Sequence, residues 1–252
     1  MHVRGRRRFA VGVVTLVAAV VLSTPIGIAA QGRGGRAGGG QGQPVPTPRE
    51  MAPIDLTGYW VSIVSEDWRF RMVTPPKGDF PDFLLNPEGL KVANAWDPAK
   101  DEAAKDHCKA YGAPNIMRVP GRFHITWADD RTLKLETDAG QQTRLMKFPS
   151  TGSGQAPPAA GAAAPPSRQG TSTARWERKE LRVDTSNLLP GYLQYNGVPF
   201  SANATMYEYF DVIKEPGGEI WLIDDSVIAD PTYHVRSIKR STHLRKQLDG
   251  TG

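Results

Sequence analysis

The residues whose types and spacing could do chemistry in this 252-residue chain are two facing acids and a set of arginines and aromatics. Segments Thr205–Lys214 and Glu219–Ile228 alternate apolar and polar side chains and flank Glu215-Pro216-Gly217-Gly218, which is the pattern of a β-hairpin. A four-residue loop places Val212 opposite Trp221, Phe210 opposite Ile223 and Met206 opposite Val227. It also sets Glu208 opposite Asp225 on an otherwise apolar face. Like charges in that position are unfavourable, which leaves three outcomes. The pair shares a proton, with one pKa raised. It holds a cation or an arginine, with Arg69, Arg71 or Arg175 as candidates. Or the register is shifted by one residue, and Asp224 or Asp225 faces solvent. In the first case Glu208 and Asp225 form an acid and base with separated pKa values, the logic of an isomerase or hydrolase, with Arg69 or Arg71 holding an anionic substrate.

A second chemistry is binding. Tyr59, Trp68, Tyr207, Phe210 and Trp221, together with Arg69 and Arg71, are candidate walls for a small, partly apolar ligand inside a β scaffold. Each aromatic is equally explained as core. A third class is an envelope protein that works through surface contacts and holds no small molecule. The chain has no His-Glu-x-x-His, paired Cys-x-x-Cys or phosphate-binding Walker loop. Gly152-Ser153-Gly154 does not sit on a strand-to-helix turn, and the adjacent Asp106, His107 and Cys108 point apart on a helix and make a poor metal trio. No metal site or cofactor is identified, so the expected partner is a small molecule.

Those residues must be positioned by the elements around them. Residues 1–30 carry Arg4, Arg6, Arg7 and Arg8, then an apolar run to Ala30 that ends in small residues. This is the pattern of a secretory signal peptide and implies a periplasmic or secreted protein, with membrane contact only during export. Arg6-Arg7-Arg8-Phe9 also fits the twin-arginine pattern. Residues 31–49, rich in Gly, Gln and Pro, read as a disordered tether. Residues 50–252 then read as a single β domain with a disordered insertion at about 149–169. The formal charge of +5 falls by four without the leader arginines and by three more without Arg33, Arg36 and Arg49. The rest is slightly acidic, which argues against nucleic acid as a partner. A single cysteine, Cys108, excludes an internal disulfide, so the fold stands on its core.

Within 50–252 the period is mostly two. From Trp60 to Met72 the even positions Trp60, Val64, Trp68, Phe70 and Met72 are apolar, which reads as a strand. Asn86-Pro87 and Asp97-Pro98 each place a capping side chain before a proline and start two short helices, the second running to about Tyr111 and ended by Gly112. A hairpin joins Arg122–Ala128 to Thr132–Asp138, with Trp127 opposite Leu133 and Ile125 opposite Leu135. Its other face pairs Arg122 with Asp138 and His124 with Glu136. Further strands fall at Thr143–Phe148, Thr173–Glu177 and Glu180–Asp184. Eight to ten strands imply a mainly β fold: an antiparallel, lipocalin-like barrel or a two-sheet sandwich, with one or two short helices.

Gly58-Tyr59-Trp60 resembles the Gly-x-Trp opening of lipocalin-like barrels, which implies a tryptophan closing the barrel floor. The span from about Asp55 to Arg240 resembles an uncharacterised group of secreted bacterial proteins. The resemblance rests on Cys108 to Pro114, Pro120-Gly121-Arg122, Trp176-Glu177 before Leu181-Arg182-Val183-Asp184-Thr185, Gly197 to Ser201 before Tyr207-Glu208-Tyr209-Phe210, and Asp230-Pro231-Thr232-Tyr233. Arg168-Gln169-Gly170 departs from the Trp-Met-Gly of that group. The resemblance implies no activity.

Overall fold

The computed structural model describes residues 45–150 and 164–248. The leader and most of the tether expected from the sequence, and the centre of the insertion, lie outside the described residues. The described residues form eleven strands, β1 (Gly58–Ser62), β2 (Arg122–Asp129), β3 (Thr132–Thr137), β4 (Thr143–Lys147), β5 (Thr171–Glu177), β6 (Glu180–Ser186), β7 (Gly191–Gln194), β8 (Val198–Phe200), β9 (Thr205–Lys214), β10 (Ile220–Ala229) and β11 (Ile238–Gln247). Nine of them close a barrel in the order β1-β11-β10-β9-β6-β5-β4-β3-β2, while β7 and β8 form a separate two-stranded sheet. The barrel, rather than the sandwich, is the architecture. All barrel neighbours are antiparallel except β4 and β5, which run parallel through Met146–Ser172 and Lys147–Thr173.

The first hairpin has the register its side chains demand. His124 faces Glu136, Ile125 faces Leu135 and Trp127 faces Leu133, and Arg122 Nε donates to Asp138 Oδ2 at 3.1 Å. The second hairpin is shifted by one residue from the expected pairing. Val212 faces Leu222, Phe210 faces Asp224, Glu208 faces Ser226 and Met206 faces Ile228. The cause is the turn. Gly218 takes a left-handed φ of 89°, its N–H bonds the Glu215 carbonyl, and Glu215 N–H bonds the Glu219 carbonyl. Pro216-Gly217-Gly218 is therefore a three-residue loop closed by a left-handed glycine.

The expected strand through Met72 stops at Ser62. Polar Ser65-Glu66-Asp67 intervenes, Asp67 turns left-handed at φ 50°, and Trp68–Arg71 forms one helical turn, α1. Period two over these residues is coincidental. Asn86 Oδ1 accepts from Gly89 N–H and caps α2 (Pro87–Ala95), and Asp97 caps α3 (Pro98–Ala103) through Ala99 N–H. The second helix is shorter than expected. Lys105 at φ 55° breaks it, a 3₁₀ turn covers His107–Tyr111, and α4 (Ala113–Ile116) starts after Gly112.

The two ends of the barrel differ. At the base, β2–β3, β5–β6 and β9–β10 are joined by tight turns, and Trp127, Phe148 and Trp176 pack together, with ring centroids 5.8 and 5.5 Å apart. Trp60, wholly buried, donates through Nε1 to the Leu56 carbonyl at 2.9 Å. Pro48, inside the stretch expected to be tether, is buried and accepts from Trp176 Nε1 at 2.7 Å. At the mouth the connections are long. Residues 63–121, β7–β8 and the 230–237 corner build a cap with its own small core of Phe83, Leu193, Val198 and Phe200, onto which Met206 and Ile228 project from the barrel.

The corner is pinned by Asp230. This buried carboxylate accepts from Ser201 N–H and Ser201 Oγ, each at 2.7 Å, and from Thr232 N–H at 3.2 Å. Hydrogen bonds to a charged acceptor contribute about 1.5–3 kcal/mol each. Asp230→Ala is expected to destabilise the protein by about 2–4 kcal/mol. Denaturant unfolding followed by circular dichroism measures this; a loss of under about 0.5 kcal/mol would contradict the role assigned to the corner.

Candidate functional site

Strand alternation sends Arg144 on β4, Ser172 on β5, Thr185 on β6, Glu208 on β9 and Asp224 on β10 to the barrel interior, and all five are buried. Arg144 Nη1 donates to Glu208 Oε1 at 2.9 Å and Nη2 donates to Glu208 Oε2, so the pair is bidentate. Nε donates to Ser172 Oγ at 3.0 Å and Nη2 to Thr185 Oγ1 at 2.7 Å. Burial alone would pull the Arg144 pKa down; the charge and hydrogen bonds of Glu208 override it and push it up. Glu208 therefore holds an arginine, but that arginine is Arg144 and not Arg69, Arg71 or Arg175.

The expected acid–base pair is not formed. Asp225 is on the outer face, exposed, opposite Tyr209 and Ser241. The second interior acid is Asp224. Its pKa is raised well above the usual carboxylate range, by burial first and by the charge of Glu208 second, with Arg144 opposing. Its Oδ1 has no partner among the described residues.

Above this polar layer, between the barrel mouth and the cap, lies a cleft of about 610 Å³. Arg71 from α1, Arg118 after α4 and Arg240 on β11 converge on it, with Arg236 and Lys239 at its lip and Asp67 and Asp82 as its acids. Phe83, Leu84, Val119, Leu193 and Ile238 supply apolar wall. Arg240 donates to the carbonyls of Pro114 and Leu193 at 3.4 and 3.1 Å and to Asn115 Oδ1 at 3.3 Å, and lies over the Phe83 ring at 5.2 Å. Burial, then repulsion from Arg118, brings its pKa down to about 9. Arg71 donates to the carbonyls of Ile63 at 2.8 Å and Arg118 at 3.1 Å, while its buried Nη2 has no partner among the described residues. Its pKa is lowered by the same two causes. Arg118 alone is paired with a carboxylate, Asp67, at 2.5 Å.

Of the residues expected to bind a ligand, only Arg71 lines this cleft. Phe210 is in the barrel core. Tyr59 stacks on His124 at 4.0 Å on the outer face, and Tyr207 lies beside Arg182, 4.5 Å from its ring centroid. Trp221 is half-buried near His243, Trp68 is exposed, and Arg69 pairs with Asp79 at 2.7 Å. Sequence reading missed Arg118, Arg240 and Arg144, and named Asp224 only in the alternative of a shifted register; that shift is present, with Asp225 turned to solvent and Asp224 inward. Arg144 and Asp224 left a signal, since Arg144 is in phase with Met146 and Phe148, and Asp224 with Leu222 and Ile228. Set against family models, curated proteins and solved structures, the chain matches none.

Two outcomes follow. Arg144→Leu strands the Glu208 carboxylate and should cost about 3–5 kcal/mol, whereas Arg144→Leu with Glu208→Leu should recover most of that loss; chemical denaturation of the three proteins tests this. Asp224 gives a pH dependence. A raised carboxyl pKa means that the folded state holds the proton more tightly than the unfolded chain. Its contribution is complete below the unfolded pKa of about 3.9 and is lost as pH rises toward the folded value. Asp224→Asn should therefore have a higher Tm than the wild type at pH 8, with the gap closing toward pH 4. A gap constant with pH would refute the assignment.

Proposed function

We propose that this chain is an exported barrel protein that binds a small, partly apolar anion in the cleft between barrel mouth and cap. The observation that carries this is the pair of guanidinium groups of Arg71, buried, and Arg240, half-buried, whose hydrogen bonds all go to neutral acceptors. Buried charges in proteins are ordinarily paired, and these two face an open cleft with five basic side chains against two acids. An anionic head between Arg71, Arg118 and Arg240 would supply the missing charge. Phe83, Leu193 and Ile238 would take the apolar part. The leader pattern of residues 1–30 supports export, and an envelope location gives such a protein access to small amphiphiles. The acid–base reading of Glu208 and Asp225 has no support in this geometry.

Calorimetric titration with octyl sulfate, octanoate, octanol and octyltrimethylammonium separates charge from apolarity. Both anions should bind with a Kd at least about tenfold below that of the alcohol or the cation, with the advantage shrinking as salt is added. Arg240→Met should lose this preference, yet its ligand-free Tm should equal or exceed the wild type, because a half-buried guanidinium without a carboxylate partner is removed. Equal affinity for all four head groups, or an Arg240→Met variant that keeps the preference, would overturn the reading.

A further inference from the structure

Beside the cleft, three side chains outside the arginine cluster are bonded in series. Ser241 Oγ is 3.1 Å from His243 Nε2, and His243 Nδ1 is 2.6 Å from Glu66 Oε1. Alternation along β11 sends Arg240, Thr242 and Leu244 inward, which leaves Ser241 and His243 together on the outer face. Glu66 comes from the turn that leaves β1. That turn is tied to β11 by the bond from Ile63 N–H to the His243 carbonyl at 3.1 Å. The next residue, Asp67, holds its left-handed backbone while its carboxylate grips Arg118. A non-glycine residue kept in that region implies that its surroundings over-determine it.

The hydrogen-bond directions fix the imidazole. A carboxylate only accepts, so in the neutral ring the bond to Glu66 places the proton on Nδ1 and leaves the Nε2 lone pair to accept from the Ser241 hydroxyl. This is the tautomer a general base needs next to a serine nucleophile. Ser241 also has room and charge around it. It lines both the cleft and a second depression of about 420 Å³ on the outer face, walled by Tyr207, Tyr209 and Val227. Lys239 and Arg240 line both spaces, and Arg118 donates to the Ser241 carbonyl at 3.2 Å. Lys239 and Arg240 are thus the cations available to a developing oxyanion, while Asp225, which also lines the outer depression, is the acid that opposes them.

We infer that Ser241 is the nucleophile of a hydrolytic site for small carboxylic esters, with His243 as general base and Glu66 as the positioning residue. The Ser241 oxygen forms a bond to the ester carbonyl carbon as its proton passes to His243 Nε2. The tetrahedral oxyanion then collapses, the carbon–alkoxy bond breaks, and the alcohol leaves with the proton from Nε2. Water, deprotonated by the same nitrogen, attacks the acyl-serine, releases the acid and restores the hydroxyl. Asp225 lies on β10 directly opposite Ser241, so a negative charge on the substrate is directed away from it, toward Lys239 and the arginines.

Diisopropyl fluorophosphate, followed by intact-mass measurement and peptide mapping of the purified protein, tests the inference, with p-nitrophenyl butyrate hydrolysis as a parallel readout. One adduct on Ser241 is expected, absent from Ser241→Ala. Labelling and hydrolysis should both slow at least about 100-fold in His243→Gln and Glu66→Gln, with partial recovery in Glu66→Asp. The pH–rate profile of Glu66→Gln should lose the wild-type shape, which a loop-stapling role would not alter. Ser241 is exposed and His243 and Glu66 are half-exposed, so Tm should change little. No adduct on Ser241, hydrolysis that survives Ser241→Ala, or a Glu66→Gln variant that reacts at the wild-type rate would each overturn the proposal.

Discussion

The ion pair between Arg144 and Glu208 is the interaction on which the rest of the barrel interior depends. It spans from β4 to β9 and, through Ser172 and Thr185, engages β5 and β6, so four consecutive strands share one hydrogen-bonded unit. Isolated, either charge would be intolerable at this depth; together, with the bidentate geometry and both hydroxyls, the desolvation cost is offset. Leu135, Val183 and Phe210 stand directly opposite Arg144, Glu208 and Asp224 in the strand registers. The polar cluster is therefore set into the apolar filling of the barrel.

The long connections 63–121, 187–204 and 230–237 gather at the mouth, while β2–β3, β5–β6 and β9–β10 turn tightly at the base. A rigid closed sheet with variable segments at one end is the arrangement on which binding sites are commonly built. Here those segments bring arginines from three unrelated parts of the chain to one cleft and leave Ser241 on its lip. Such a cluster costs the fold something, since the pKa values of Arg71 and Arg240 are lowered by removal from water first and by the neighbouring charge of Arg118 second. A protein selected for stability alone would not keep it.

Much of the barrel was legible in the sequence because its information is local. The hairpin of Arg122 to Asp138 could be registered residue by residue, since two opposite-charge pairs and two apolar pairs agree on one alignment. The hairpin of Thr205 to Ile228 could not. Its two glycines permit loops of three or four residues, and the choice, made by the left-handed Gly218, moves every facing pair. That single step exchanged Asp225 for Asp224 and dissolved the expected carboxylate dyad. The cleft was illegible for another reason. Arg71, Arg118 and Arg240 are each unremarkable in their own segment, and nothing along the chain says that helical turn, loop and strand will meet. Arg71 was even read onto the polar face of a strand that does not exist. The series Glu66, His243 and Ser241 has the same character, joining residues 177 positions apart.

The parallel contact of β4 with β5 carries a consequence for how this chain can vary. Antiparallel neighbours can be joined by two residues, but a parallel pair obliges the chain to travel back from the base to the mouth before the next strand begins. Phe148 at one end of this connection packs between Trp127 and Trp176, and Arg168 and Gln169 at the other bond Asp106 and the Tyr111 carbonyl, so the sequence between them is asked first for reach. A stretch of alanine, proline, glycine and serine satisfies a demand of that kind. Because loop-closure entropy grows only logarithmically with length, lengthening it costs little. This junction is where the protein can accept a grafted sequence, or new chain ends, while the barrel keeps its register.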